Sequence, residues 1–118
     1  MFSVGIDIQE IEPFRKRPVD KKKKFYERLF TPAEIEYCLA KADPAEHFAA
    51  RFAVKEAVMK ALDPWKISPH SIEVVVLTGG KPEILIHKKN VLSDGHEIKI
   101  SISHTGSVAA AVAIVHPK

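Results

Sequence analysis

Cysteine occurs once in this chain, at Cys38. A lone thiol makes no internal disulfide and cannot supply the sulfur set of a structural zinc site. Reducing surroundings fit that usage. Long apolar runs are also missing, and no stretch reaches the length that would cross a bilayer as a helix. The start, MFSVGIDI, lacks the basic residues and extended apolar segment of a secretory leader. A cytoplasmic location with no membrane partner is therefore expected. Aromatic residues make up only 8% of the chain. No stacking platform or nucleic-acid motif stands out, which argues against a nucleic-acid partner. The one glycine pair, Gly79-Gly80 before Lys81, is too short for a phosphate loop and has no helix after it, so it reads as a hairpin turn. No repeat, low-complexity segment or internal boundary appears, and residues 1–118 are expected to form a single domain.

What the chain does have is an ordinary globular composition, 46% hydrophobic and 28% charged, with enough apolar material for a core. Net charge is +3 and the isoelectric point is near 9.0. Much of this basicity is local: Arg15, Lys16, Arg17 and Lys21 to Lys24 lie close together. Such a cluster suits nucleic acid, an anionic membrane or an acidic protein, and a solvated charge run is the plain alternative.

The chain is organised around Asp43 to Leu62, DPAEHFAARFAVKEAVMKAL. Asp43 is placed as an N-cap, Pro44 suits the first helical position, and Glu46 stands where a capping-box acid belongs. About five turns of strong helix formers follow. Phe48, Phe52, Met59 and Leu62 form one apolar face, and Ala50, Val54, Ala57 and Ala61 the opposite one. A helix apolar on both sides is usually buried. It nevertheless carries Arg51, Lys55, Glu56 and Lys60. Buried charges are costly unless paired or metal-bound, so Glu56 is a candidate for chemistry. The plain alternative is a surface Glu56–Lys60 pair at i,i+4, with the Arg51 and Lys55 heads in water.

Before this helix, FSVGIDI alternates as a short strand, with Val4, Ile6 and Ile8 opposite Gly5 and Asp7. Gly5 marks a close approach, and Asp7 is unusual strand material. Residues 10–30 read as helix interrupted by Pro13 and Pro18, ending in a basic amphipathic segment with Phe25 and Leu29 on one side. Thr31-Pro32-Ala33-Glu34 is a capping box for a helix that should pack Ile35 and Leu39 inward. After the central helix comes a loop with two prolines, a strand from Ser71 to Thr78, a turn, and a returning strand from Glu83 to His87. A polar connection ends at Asp94-Gly95, and two further strands, Glu97 to Ser103 and Val108 to Val115, flank His104-Thr105-Gly106. Helices in the first half and strands in the second argue α+β.

Three stretches, VGIDIQEI at 4–11, FAARFAVKEAVMKAL at 48–62 and ISISHTGSVAAAVAIV at 100–115, in this order and spacing, resemble the holo-acyl-carrier-protein synthase type of 4′-phosphopantetheinyl transferase over nearly the whole chain. The resemblance implies a long central helix on a mainly antiparallel sheet. It also implies transfer of 4′-phosphopantetheine from coenzyme A to a serine of apo acyl carrier protein in fatty acid synthesis, with 3′,5′-ADP released. It implies Mg²⁺ held by Asp7 and Glu56, with Glu56 orienting or deprotonating the hydroxyl. Lys60 is implied as a catalytic lysine facing the coenzyme A phosphates, and Arg51, Ser103, His104 and Thr105 as coenzyme A contacts, with an internal ion pair the alternative for Arg51. Phe25 and Arg28 match positions facing the carrier protein. Homotrimers with active sites between subunits are likewise implied.

Two departures from the family pattern stand out. Pro13 replaces a common arginine, leaving Arg15 or Arg17 to substitute. Asp63-Pro64-Trp65 replaces a glycine-rich turn. The rival readings are a basic nucleic-acid module with no need of Asp7 or Glu56, and a degenerate relative that binds coenzyme A without transfer.

Overall fold

In the computed structural model, residues 2–62, 67–77, 79–92 and 95–118 are described. Strand β1 (Ser3–Glu10) leads into a short α1 (Glu12–Arg15), then α2 (Lys23–Leu29), α3 (Pro32–Leu39) and the long α4 (Pro44–Ala61). A 3₁₀ turn at Pro69–Ser71 precedes β2 (Ile72–Val76) and β3 (Pro82–Ile86), and β4 (His96–His104) and β5 (Val108–Pro117) close the chain. All pairings are antiparallel, in one sheet ordered β1-β5-β4 and a separate β2-β3 hairpin. The hairpin turn uses Gly79 and Gly80 at φ of 97° and 81°, a backbone region closed to most side chains. This is the α+β arrangement expected, with the second strand shorter than its β-branched run and entered through the 3₁₀ turn.

Helix α4 is the axis of two apolar clusters. Its N-terminal half meets the aromatic residues of α1 and α2, with Phe48 4.7 Å from Tyr26 and 5.1 Å from Phe30 between ring centres. Its C-terminal half lies on the sheets, where Ala53, Ala57 and Ala61 face Ala111, Ala113 and Val115. Small residues on both surfaces let helix and sheet approach closely. The limit comes at Gly5, where an added Cβ would lie 1.9 Å from the carbonyl oxygen of Ala57. Glycine is needed there because the backbones of β1 and α4 nearly touch.

Several local expectations change in three dimensions. Asp43 sits at the N-cap, but its side chain makes no capping bond and instead accepts from Arg15 Nη2 at 2.6 Å. Glu46 faces His104 rather than closing a capping box. Leu39 is 50% exposed, because the inward face of α3 is Glu34 and Cys38, one turn apart. The Thr31–Glu34 capping box is formed as expected. The Lys55 head is not in water. It is fully buried and paired with Glu34, itself 1% exposed, at 2.6 Å. Burial pushes the Cys38 thiol up to about 12, which leaves it an unreactive core residue. The Asp63-Pro64-Trp65 departure, Thr78 and Asp94 lie outside the described residues. No helix among the described residues is long and apolar enough to cross a membrane.

Candidate active site

Strand alternation puts Gly5, Asp7 and Gln9 on the face of β1 that meets α4. The contact at Gly5 sets the spacing, so Asp7 on the strand comes to Lys60 on the helix. Lys60 Nζ donates to Asp7 Oδ1 at 3.3 Å and to the carbonyl of Ile6 at 2.9 Å. Gln9 Nε2 donates to the other oxygen, Asp7 Oδ2, at 2.8 Å. Glu56, one turn before Lys60, shares this field. Partial burial first, and the Asp7 charge second, raise its carboxyl above the ordinary range, while Lys60 opposes the shift. The i,i+4 pair read from sequence is thus replaced by a strand-to-helix pair. Asp7 is 12% exposed and Lys60 54%, so the lysine reaches in from solvent.

Two carboxylates within electrostatic reach of one another, grouped among the described residues with no third carboxylate, histidine or cysteine, form a hard-oxygen donor set that suits Mg²⁺. Among the described residues no group of three or more such side chains exists. An ion here would therefore need its remaining oxygens from water and phosphate, which is usual for Mg²⁺.

The remaining site residues gather elsewhere. Arg51 is 5% exposed, and its guanidinium lies 4.0 Å from the centre of the Tyr37 ring. Its Nε is buried with no hydrogen-bond partner. His104 Nδ1 lies 3.4 Å from Glu46 Oε1. Thr105 Oγ1 accepts from the backbone of Ser107 and Val108 at 3.2 and 3.1 Å, fixing the β4–β5 turn. Ser103 is exposed, one residue out of phase with His104 on β4. Strand β5 separates β1 from β4, so the Asp7 and His104 strands stand roughly 10 Å apart. On α4, five residues turn Arg51 about 140° from Glu56. Asp7, Glu56 and Lys60 therefore share one side of α4, whereas Arg51 lies over Tyr37 on another and His104 approaches the helix at Glu46.

The basic N-terminal segment borders the first half-site. A groove of about 450 Å³ is lined by Ile8, Pro13, Arg17, Phe25, Leu29 and Phe52, among others. Arg17 lies over the Phe25 ring at 5.2 Å. Arg15 turns away to Asp43 and Glu12. Of the two candidate substitutes for the arginine replaced by Pro13, it is Arg17 that reaches the groove. Arg28 is exposed and donates to the carbonyl of Lys24. Sequence reasoning missed Gln9, Tyr37 and Glu46 as parts of these sites. Gln9 had a legible signal, a polar residue two positions from Asp7 and so on the same face of the strand.

The sequence matches the 4′-phosphopantetheinyl transferase superfamily over residues 3–113. The chain belongs to that superfamily. It is 44% identical over 117 residues to a holo-[acyl-carrier-protein] synthase of Chlorobaculum parvum, covering 97% of each chain. It is 43% identical to the synthase of Moorella thermoacetica, covering 98% of this chain and 94% of the other. The crystal structure of the Helicobacter pylori synthase in complex with coenzyme A is similar at a TM-score of 0.81 and 32% identity, covering 96% of this chain and 99% of the other. The chain is thus a phosphopantetheinyl transferase, and Asp7, Glu56 and Lys60 meet in a transferase fold.

Proposed function

We propose that this transferase moves 4′-phosphopantetheine from coenzyme A to a serine hydroxyl of apo acyl carrier protein, in the cytoplasm and in service of fatty acid synthesis. The observation that carries the reading is the meeting of Asp7, Glu56 and Lys60 where β1 crosses α4. The serine oxygen bonds to the β-phosphorus of coenzyme A, the bond from that phosphorus to the bridging oxygen breaks, and 3′,5′-ADP leaves. Mg²⁺, held by Asp7 and Glu56, would supply positive charge to the pyrophosphate oxygens. Glu56 orients the attacking hydroxyl and receives its proton. Lys60, moving from Asp7 to phosphate, balances charge on the leaving side. Arg51, Ser103, His104 and Thr105 hold the nucleotide. The groove at Phe25, lined by Arg17, with Arg28 and the lysine run on the neighbouring helix, offers an acidic helical carrier protein apolar contact and salt-sensitive steering, and Arg15, paired with Asp43, adds to the basic surface beyond it.

A homotrimer with active sites between subunits fits two observations. Strand β5 stands between the Asp7 and His104 strands, so a neighbouring subunit's His104 and Thr105 can supply nucleotide contacts that one chain does not bring to its own Asp7–Glu56–Lys60. The outer face of β1 is also apolar and open, with Val4, Ile6 and Ile8 each more than 60% exposed, continuing across the strand pairing to Ile114.

The deciding experiment is intact-mass spectrometry of apo acyl carrier protein incubated with this protein, coenzyme A and Mg²⁺. The expected result is a gain of one phosphopantetheine, abolished by chelator and by Glu56→Gln. No gain with a folded protein overturns the reading. Mixing Glu56→Gln with His104→Ala subunits should restore part of the gain if sites are shared. No restoration, although the subunits exchange, would place each site within one chain.

A further inference from the structure

Asp7 is held at both carboxylate oxygens, by partners of different kinds. Lys60, on Oδ1, is a charged side chain more than half exposed and free to leave toward solvent or phosphate. Gln9, on Oδ2, is neutral and partly buried, and it extends from the same rigid strand two residues along. An amide N–H on a carboxylate oxygen fixes the plane of the carboxylate without adding a charge that would repel a cation. Outer partners of this kind orient metal-binding side chains and commonly carry about 10–100-fold in metal affinity.

We propose that Gln9 is a positioning residue for the metal site. It retains Oδ2 and leaves Oδ1 as the single oxygen that Asp7 presents once Lys60 withdraws. The proposal rests on Asp7 being a metal ligand. It deepens that reading by assigning metal selectivity to a residue outside the ligand set. A carboxylate limited to one oxygen suits a small octahedral ion such as Mg²⁺ or Mn²⁺. Ca²⁺ is larger and often takes both oxygens of a carboxylate. Gln9 therefore biases the site against Ca²⁺.

The test measures Mn²⁺ binding to the full-length protein by electron paramagnetic resonance, with coenzyme A present and carrier protein omitted, so that no turnover occurs. Ca²⁺ competition is read in the same titration. The variants are Gln9→Met, which keeps length and removes the donor, and Asp7→Asn, with thermal melting to establish folding. The expected result for Gln9→Met is about tenfold weaker Mn²⁺ binding, a smaller loss for Ca²⁺, and an unchanged melting temperature. If Asp7→Asn abolishes Mn²⁺ binding while Gln9→Met keeps the original Mn²⁺ affinity and Mn²⁺/Ca²⁺ ratio, the Gln9 assignment falls and the metal reading stands. If the unmodified protein and Asp7→Asn bind Mn²⁺ alike, both fall. An equal loss for both ions would also overturn the selectivity role.

Discussion

Lys55 and Lys60 stand on the same helix, little more than one turn apart, and do opposite things. Lys55 is sealed in the interior. Its ammonium donates to Glu34 Oε1 at 2.6 Å and to the carbonyls of Leu29 and Pro69 at 2.8 and 3.1 Å, so every proton has an acceptor. Glu34 is equally occupied, accepting also from the backbone N–H groups of Thr31 at 2.9 Å and Val74 at 2.8 Å. This network ties α2, α3, α4, the 3₁₀ turn and β2 together. Lys60 reaches from solvent to the carbonyl of Ile6 at 2.9 Å and makes one longer contact on Asp7, at 3.3 Å. A saturated buried charge fixes a structure, whereas a charge with spare donors beside an acidic pair is ready to change partners. The difference lies in the surroundings, since the side chains are identical.

Removing the buried member should have the largest effect. Lys55→Met leaves Glu34 buried without its counter-charge, and is expected to cost about 3–5 kcal/mol, read by denaturant unfolding. Adding Glu34→Leu should return only part of this, because the Thr31 and Val74 N–H groups then lose their acceptor. Stability unchanged in Lys55→Met would erase the contrast between the two lysines.

Lys60→Met should do the reverse. Loss of one preorganised charge at the phosphates is expected to lower turnover of carrier protein by about 10²-fold. Stability should move by less than about 0.5 kcal/mol, as for other exposed pairs. A large stability loss with turnover intact would make Lys60 a structural residue like Lys55.

The smallest effect lies where the buried network reaches the surface. Glu73 accepts from Thr31 Oγ1 at 2.9 Å and pairs with His87 Nε2 at 2.8 Å. The His87 bond above all, with help from Thr31 and Lys55, holds the Glu73 carboxyl below its ordinary value against the opposing effect of burial. A depressed carboxyl stabilises the fold above its unfolded pKa and loses that contribution as pH falls through the folded value. Glu73→Gln should therefore be less stable than the parent near neutral pH by up to about 1 kcal/mol. The gap should close below about pH 4. A gap that persists or widens in acid would show that the pair contributes through packing.

The elements that the sequence made legible were those with local causes. The capping box at Thr31, the alternation of β1, the glycine hairpin turn and the length of α4 each follow from short-range rules. Asp7 and Glu56 were visible because each was out of place in its own element. Where the local rule competed with a distant partner, the partner won. Asp43 gave up its cap for Arg15, Glu46 turned to His104, and Leu39 was left exposed because Glu34 took the inward phase of α3.

Sequence alone thus determined the α+β order, the buried character of α4 and the candidate acids Asp7 and Glu56, because periodicity, caps and misplaced charges are written within a few residues. Tertiary structure decided which lysine is buried in an ion pair and which reaches Asp7 from solvent, that Gln9 holds Asp7, and that β5 stands between the strands of Asp7 and His104. Those outcomes depend on which strand crosses α4 at Gly5 and which chain ends meet across β5. Such long-range contacts are set by packing, and no local pattern encodes them.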